Sequence, residues 1–181
     1  VKSFLDAIPD EYKKVDIHLN ERYQVIEQSS FSWSENRNYQ LWLDQPYEVI
    51  RQNYAPEVLE HLKEASALDL RPVSNVKPEV VADFFKTNTT NRKQVDEKFH
   101  ALQRIMYNAM HRGIGFANGV ENSQGQLLAA NFYIFSHGKL LSLIPMELNS
   151  NKVAQLFGMD LLIKTNANRP LILDLNSEDE N

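Results

Sequence analysis

Three side chains in the second half of the chain, Tyr133, His137 and Glu147, are of types that move protons, so general acid–base chemistry is the reaction class they could serve. Each also has a plain structural reading. Glu147 closes a strand and could simply be solvated there, His137 sits in a turn, and Tyr133 follows Phe132 and precedes Phe135, as a core or wall residue would. Lys152 ends the polar run Asn149-Ser150-Asn151-Lys152, which leads directly into an apolar helix. A lysine beside the unsatisfied N–H groups of a helix start could favour an anion, and the same run could equally be an ordinary cap with Ser150 or Asn151 at the N-cap. Tyr39, Trp42 and Trp33 could line a ligand cleft or pack two pieces of chain together.

Other chemistries lack their residues. The absence of cysteine removes disulfides, thiolate metal sites and a cysteine nucleophile. His18, His61, His100, His111 and His137 have no HxxxH or HxH spacing, so no metal is expected. A nucleophile elbow, a P-loop and a strand-initiated dinucleotide fingerprint are all missing from the sequence.

The net charge is −5, from 19 Lys and Arg against 24 Asp and Glu, and the basic residues cluster only at Asn91-Arg92-Lys93. That is no electrostatic footprint for nucleic acid. No apolar run approaches the ~20 residues that span a bilayer, and Val1-Lys2-Ser3-Phe4 does not open an apolar leader, so the expectation is a soluble, cytoplasmic protein with no membrane partner. With 43% apolar and 24% charged residues, 181 residues can bury a substantial core.

The elements that must position these side chains follow from periodicity. Residues 2–13 suggest two short turns interrupted by Pro9, and residues 15–19, 23–27 and 38–43 suggest strands. From Asp44 onward helices are expected: one to about residue 53 with Asp44 as N-cap, and one over 56–65 opening on proline. Residues 68–73 alternate as a strand. A helix is expected over 77–86 with Val80, Val81, Phe84 and Phe85 inward, and another over 95–112. The latter carries an apolar stripe through Val95, Phe99, Leu102, Ile105, Met106, Ala109 and Met110 and ends at Gly113. Three strands then fall at 115–120, 126–135 and 139–148, linked by turns at 122–125 and 136–138. A helix over 153–165 and a strand over 170–175 complete the chain. A three-strand meander followed by strand–helix–strand predicts an α+β fold, a mixed and mostly antiparallel twisted sheet with helices on both faces.

This order, with the meander segments at 115–121, 125–135 and 139–145 and the helix Val153-Ala-Gln-Leu-Phe-Gly-Met-Asp-Leu-Leu-Ile-Lys, resembles the GNAT superfamily of acyl-CoA N-acyltransferases. The layout is nearest to bacterial GNAT-like proteins related to the Fem-type peptidyltransferases, in which two such halves are fused. The resemblance covers about three quarters of the chain and rests on element order and hydrophobic pattern, with no invariant motif. It implies that residues 1–43 end a preceding half and that residues 44–181 form an acyltransferase core, incomplete at its C-terminus.

The resemblance also implies a site. In the family one strand splays from its neighbour, its backbone pairs with the pantetheine arm of an acyl-CoA, and the next loop and helix start hold the pyrophosphate. Here that assigns Leu143, Ile144 and Met146 on the strand, and Asn149, Ser150, Asn151, Lys152, Val153 and Ala154 in the loop and helix start, to acetyl-CoA or another acyl-CoA. Glu147 and Tyr133 become the proton-transfer candidates for a small-molecule or peptide amine. The sequence departs from the family loop, Gln/Arg-x-x-Gly-x-Gly/Ala, whose glycines admit phosphate. Its nearest match, residues 155–160, places Asp160 where the last small residue belongs and falls inside the expected helix, not in the loop, and a carboxylate within about one turn of a phosphate would oppose it. Two alternatives stand beside acyl transfer: a Fem-type transferase using aminoacyl-tRNA, and a non-catalytic GNAT-like binding or scaffold domain.

Overall fold

The structure is a computed structural model that describes residues 2–9, 11–15, 17, 32, 38–89, 92–144 and 151–175, with backbone alone at 92–98. The chain divides into two compact units, Val1–Asn36 and Arg37–Asn181. In the first unit the described element is a short helix, α1 (Lys2–Leu5). The strands expected over 15–19 and 23–27 fall largely outside the described residues.

The second unit holds a mixed sheet of six strands among the described residues, in the order β1-β6-β5-β4-β3-β2. They are β1 (Gln40–Trp42), β2 (Arg71–Ser74), β3 (Gly115–Glu121), β4 (Leu127–Ser136), β5 (Lys139–Ser142) and β6 (Ile172–Asp174). All neighbours are antiparallel except β5 and β6. The α+β class and the mixed sheet are therefore as the periodicity predicts. Residues 40–42, expected in a preceding half, form an edge strand of this same sheet.

The meander is set by its turns. Asn122 Oδ1 accepts from the backbone N–H groups of Gln124 and Gln126, and Gly125 takes a φ of 75°. At the β4–β5 turn His137 and Gly138 both have positive φ, 49° and 77°, which matches the right-handed twist of a two-residue hairpin.

The two sheet faces carry different layers. One face packs Ala117 and Phe132 against helices α4 (Pro78–Asn88) and α5 (Arg92–His111), through Val81, Ala82, Met106 and Ala109. Two expectations fail here, because Val80 is 43% exposed and Ile105 is 48% exposed. Val81 and Met106, also expected inward, are fully buried, so the buried stripe of each helix is the expected one narrowed at one edge.

On the opposite face lies α6 (Lys152–Asn166), over Tyr133, Leu140 and Leu173. Outside α6 packs α3 (Pro56–Ala67), which follows α2 (Tyr47–Gln52). A helix covered by a sheet on one side and another helix on the other should be apolar nearly all round, as residues 153–163 are. The expected cap at Asp44 is not formed. Pro46 occupies the N-cap of α2 with no side-chain bond, since its fixed φ of −55° already sets the extended entry.

Candidate functional site

The ladder between the two parallel strands has a definable end among the described residues. Their ladder runs Lys139↔Ile172, Leu140↔Leu173 and Leu141↔Asp174. Beyond it each strand bonds to its other neighbour: Leu143 N–H donates to Phe132 O on β4 at 2.8 Å, and Leu175 N–H donates to Tyr39 O beside β1 at 3.1 Å. Among the described residues no β5–β6 pair follows Leu141 and Asp174.

The chain leaving β5 is bent at residues 143–144, so the described strand ends at Ser142, and residues 145–148 of the expected strand lie outside the described residues. Ser142 Oγ donates to Ile144 O at 3.0 Å, and Asn131 Nδ2 donates to Ser142 Oγ at 2.8 Å and to Ile144 O at 3.4 Å. A buried hydroxyl that takes its own chain's carbonyl competes with a sheet ladder. Ile144, assigned from the resemblance to a cofactor, has its side chain in the core with Phe132 and Met106, and Leu143 packs against that cluster. Met146, Glu147, Asn149 and Ser150 lie outside the described residues.

At the start of α6, Asn151 is the N-cap, its Oδ1 accepting from Ala154 N–H at 3.0 Å. Of the two expected caps, Asn151 is thus the one in use. Lys152 Nζ is exposed and pairs with the Glu57 carboxylate on α3, which holds the Glu57 carboxyl below its ordinary value. Val153 is half-buried and Ala154 is buried against Val120 and Ala129. The structure thus brings Leu143 and Ile144 to the parting strands and Asn151–Ala154 to the helix start.

Asp160 is not at that helix start. It lies nine residues past the cap, about 13 Å along the axis at 1.5 Å per residue. Its carboxylate accepts from Tyr47 Oη at 2.8 and 2.9 Å and from Tyr54 Oη at 3.0 Å. Burial, followed by the hydrogen bond and charge of Asp160, pushes the Tyr47 phenol up to about 12. Tyr54 is raised as well, by burial first and then by the Asp160 charge. Asp160 therefore fixes the α2–α3 elbow onto α6; it lies inside the helix as expected, but more than one turn from the helix start, where the expectation had it oppose a phosphate. Two residues earlier, a Cβ on Gly158 would lie 3.0 Å from Val120 Cγ2, so this glycine serves close helix–sheet packing.

Tyr133 is buried beneath α6, opposite Ser142 on β5, with its ring 5.5 Å from that of Phe116. Desolvation raises its phenol strongly, an effect partly offset by Asn131. It is a neutral phenol near pH 7 and can donate a proton or hydrogen bond, whereas it cannot serve as a base there. His137 has the backbone of its turn and pairs through Nδ1 with Ser136 Oγ at 2.9 Å.

A cleft of about 500 Å³ also lies between α6 and the β2–β3–β4 part of the sheet. Its lining comes from separate stretches of chain, so nothing in local periodicity signals it. The Asp160 network was signalled only by a lone acid in an apolar helix, because its phenol partners lie 106 and 113 residues away.

Compared with known proteins, the chain matches no protein-family model and no curated sequence. Among the described residues no helix is long and apolar enough to cross a membrane, and no three His, Asp or Glu side chains gather as a metal site would need.

Proposed function

We propose that the second unit is an N-acyltransferase of the GNAT type, taking the acyl group of acetyl-CoA or a related acyl-CoA and an amine as acceptor. The observation that carries this reading is the end of the described β5–β6 ladder at Leu141↔Asp174, with Leu143 and Leu175 bonding to the outer neighbours and α6 starting close by in sequence. Parted parallel strands offer backbone donors and acceptors to an extended amide-bearing chain such as pantetheine. The first-turn N–H groups of α6, with their positive dipole end, suit a pyrophosphate. The amine nitrogen would attack the thioester carbonyl carbon, forming C–N as C–S breaks. The amine proton would pass to a base and coenzyme A would leave as its thiol form. Tyr133, held neutral and buried beneath α6, is not that base.

The test is a calorimetric titration with acetyl-CoA. Saturable heat in the micromolar range is expected, weakened several-fold by Lys152→Ala, and an absence of heat at millimolar ligand would sink the reading. One observation favours a second reading, a scaffold or binding domain without catalysis. Ile144 O is occupied by Ser142 and Asn131, and the Ile144 side chain is spent on the core. Acetyl-CoA binding without transfer to any amine in a broad acceptor panel would select that alternative.

A further inference from the structure

The cleft beneath α6 has a composition that specifies its guest. One end is aromatic: Phe116 lies 5.5 Å from both Tyr133 and Phe135 by ring centroid, with tilted rings. The middle of its floor is lined by side-chain amides and a hydroxyl, with Asn118 opposite Asn131 on β3 and β4, and Ser74 opposite Asn118 on β2. Among the described residues that line it, the charged side chain is Arg169, and no Asp or Glu is present. Arg169 is positioned, because its guanidinium donates to Asn166 Oδ1 at 3.1 Å, and Asn166 is buried with its own amide donating to Leu162 O at 2.9 Å. Because α6 runs antiparallel to β5 and β6, its C-terminal residues Asn166 and Arg169 lie toward the end of the sheet where β4 finishes and β3 begins. The cation and the aromatic group therefore share one end of the cleft.

From this we infer that the cleft is a binding site for a small amphipathic monoanion, a carboxylate with an aromatic or acyl body. The carboxylate would sit on Arg169 and the body on the Phe116–Tyr133–Phe135 rings. The volume is in the range that encloses a drug-sized ligand, about 300–1,000 Å³. A planar guanidinium held by a buried amide suits bidentate carboxylate recognition. With no acid lining the cleft, a cationic guest would find no counter-charge, and a polyanion would find one cation only. The site lies on the sheet face under α6, away from the parted ends of β5 and β6, and it does not depend on acyl-CoA binding.

The test uses the intact chain with a matched pair of probes, 4-phenylbutyrate and 4-phenylbutanol, titrated by calorimetry and followed by amide NMR shifts. The carboxylate is expected to bind saturably below millimolar, at least tenfold tighter than the alcohol, with shifts centred on Phe116, Tyr133 and Arg169. Arg169→Gln, an exposed position, should remove that tenfold preference and leave the alcohol unchanged. Thr165→Trp, a plug at the exposed rim, should weaken both probes. Circular dichroism confirms that each variant is folded. The inference is overturned if neither probe saturates at millimolar concentration, if Arg169→Gln leaves the carboxylate affinity unchanged, or if the shifts fall elsewhere. Acetyl-CoA added to the phenylbutyrate complex separates the two sites: binding of both together is expected, and exclusion of one by the other would overturn a distinct cleft site.

Discussion

Asp160 stands half-buried on α6, facing the α2–α3 elbow. Its carboxylate is the shared acceptor of two phenols from the α2–α3 elbow. Removing it strands both donors in a half-buried setting, where a lost partner costs about 1–3 kcal/mol per group. Asp160→Ala is therefore expected to lower stability by about 2–4 kcal/mol in a denaturant melt, and Tyr47→Phe by less. The same contact has a pH signature. Because the Tyr47 phenol is raised from 10.0 to about 12 in the folded chain, the folded state holds that proton more tightly than the unfolded one. The resulting stability is complete below about pH 10 and lost as pH rises towards 12. Phenolate absorbance should show Tyr47 ionising late, as the difference between the parent and Tyr47→Phe. Asp160→Asn, which removes the negative charge, should bring that ionisation to lower pH, and an unchanged titration would contradict the network.

At the scale of elements, the places where sequence and structure disagree have identifiable causes. In α5, Ile105 and Met106 are adjacent apolar residues, so helical periodicity admits two overlapping stripes, and only the sheet beneath selects Met106. Met106→Ala is expected to cost about 2–5 kcal/mol, whereas Ile105→Gln should stay within about 0.5 kcal/mol. Equal costs would show the stripe misassigned. The end of β5 was illegible for another reason. Hydrophobicity continues past Ser142, but the Ser142 hydroxyl and the Asn131 amide take the Ile144 carbonyl, and no apolar pattern reports a side chain's hydrogen bond. The hairpins, the Gly113 stop and the Asn151 cap were legible because each rests on residues within four positions of one another. Where α5 meets β3, a Cβ on Gly115 would lie 2.7 Å from Ala109 Cβ and 2.8 Å from Phe132 Cζ. Gly115→Ala should therefore cost about 1–3 kcal/mol by overpacking, measurable as a lowered melting temperature.

For the molecule as a whole, the order of elements carried the fold class, while the contacts that define a site are long-range and were only partly visible. Asp174, at the end of the parallel ladder, is buried and accepts from Asn38 Nδ2, Gln40 Nε2 and Lys139 Nζ, joining β1, β5 and β6 where the strands part. Removing one partner of a buried pair costs about 3–5 kcal/mol, so Asp174→Ala should destabilise the sheet edge by an amount of that order. Local hydrogen exchange should quicken around Gln40–Trp42 before the rest of the sheet. The central claim is that this parting is an acyl-CoA site, and an amide NMR titration with acetyl-CoA tests it most directly. Saturable shifts are expected at Leu141–Ile144 and Asn151–Ala154, on both sides of the gap. No shift at millimolar acetyl-CoA, or shifts confined to the cleft beneath α6, would contradict it.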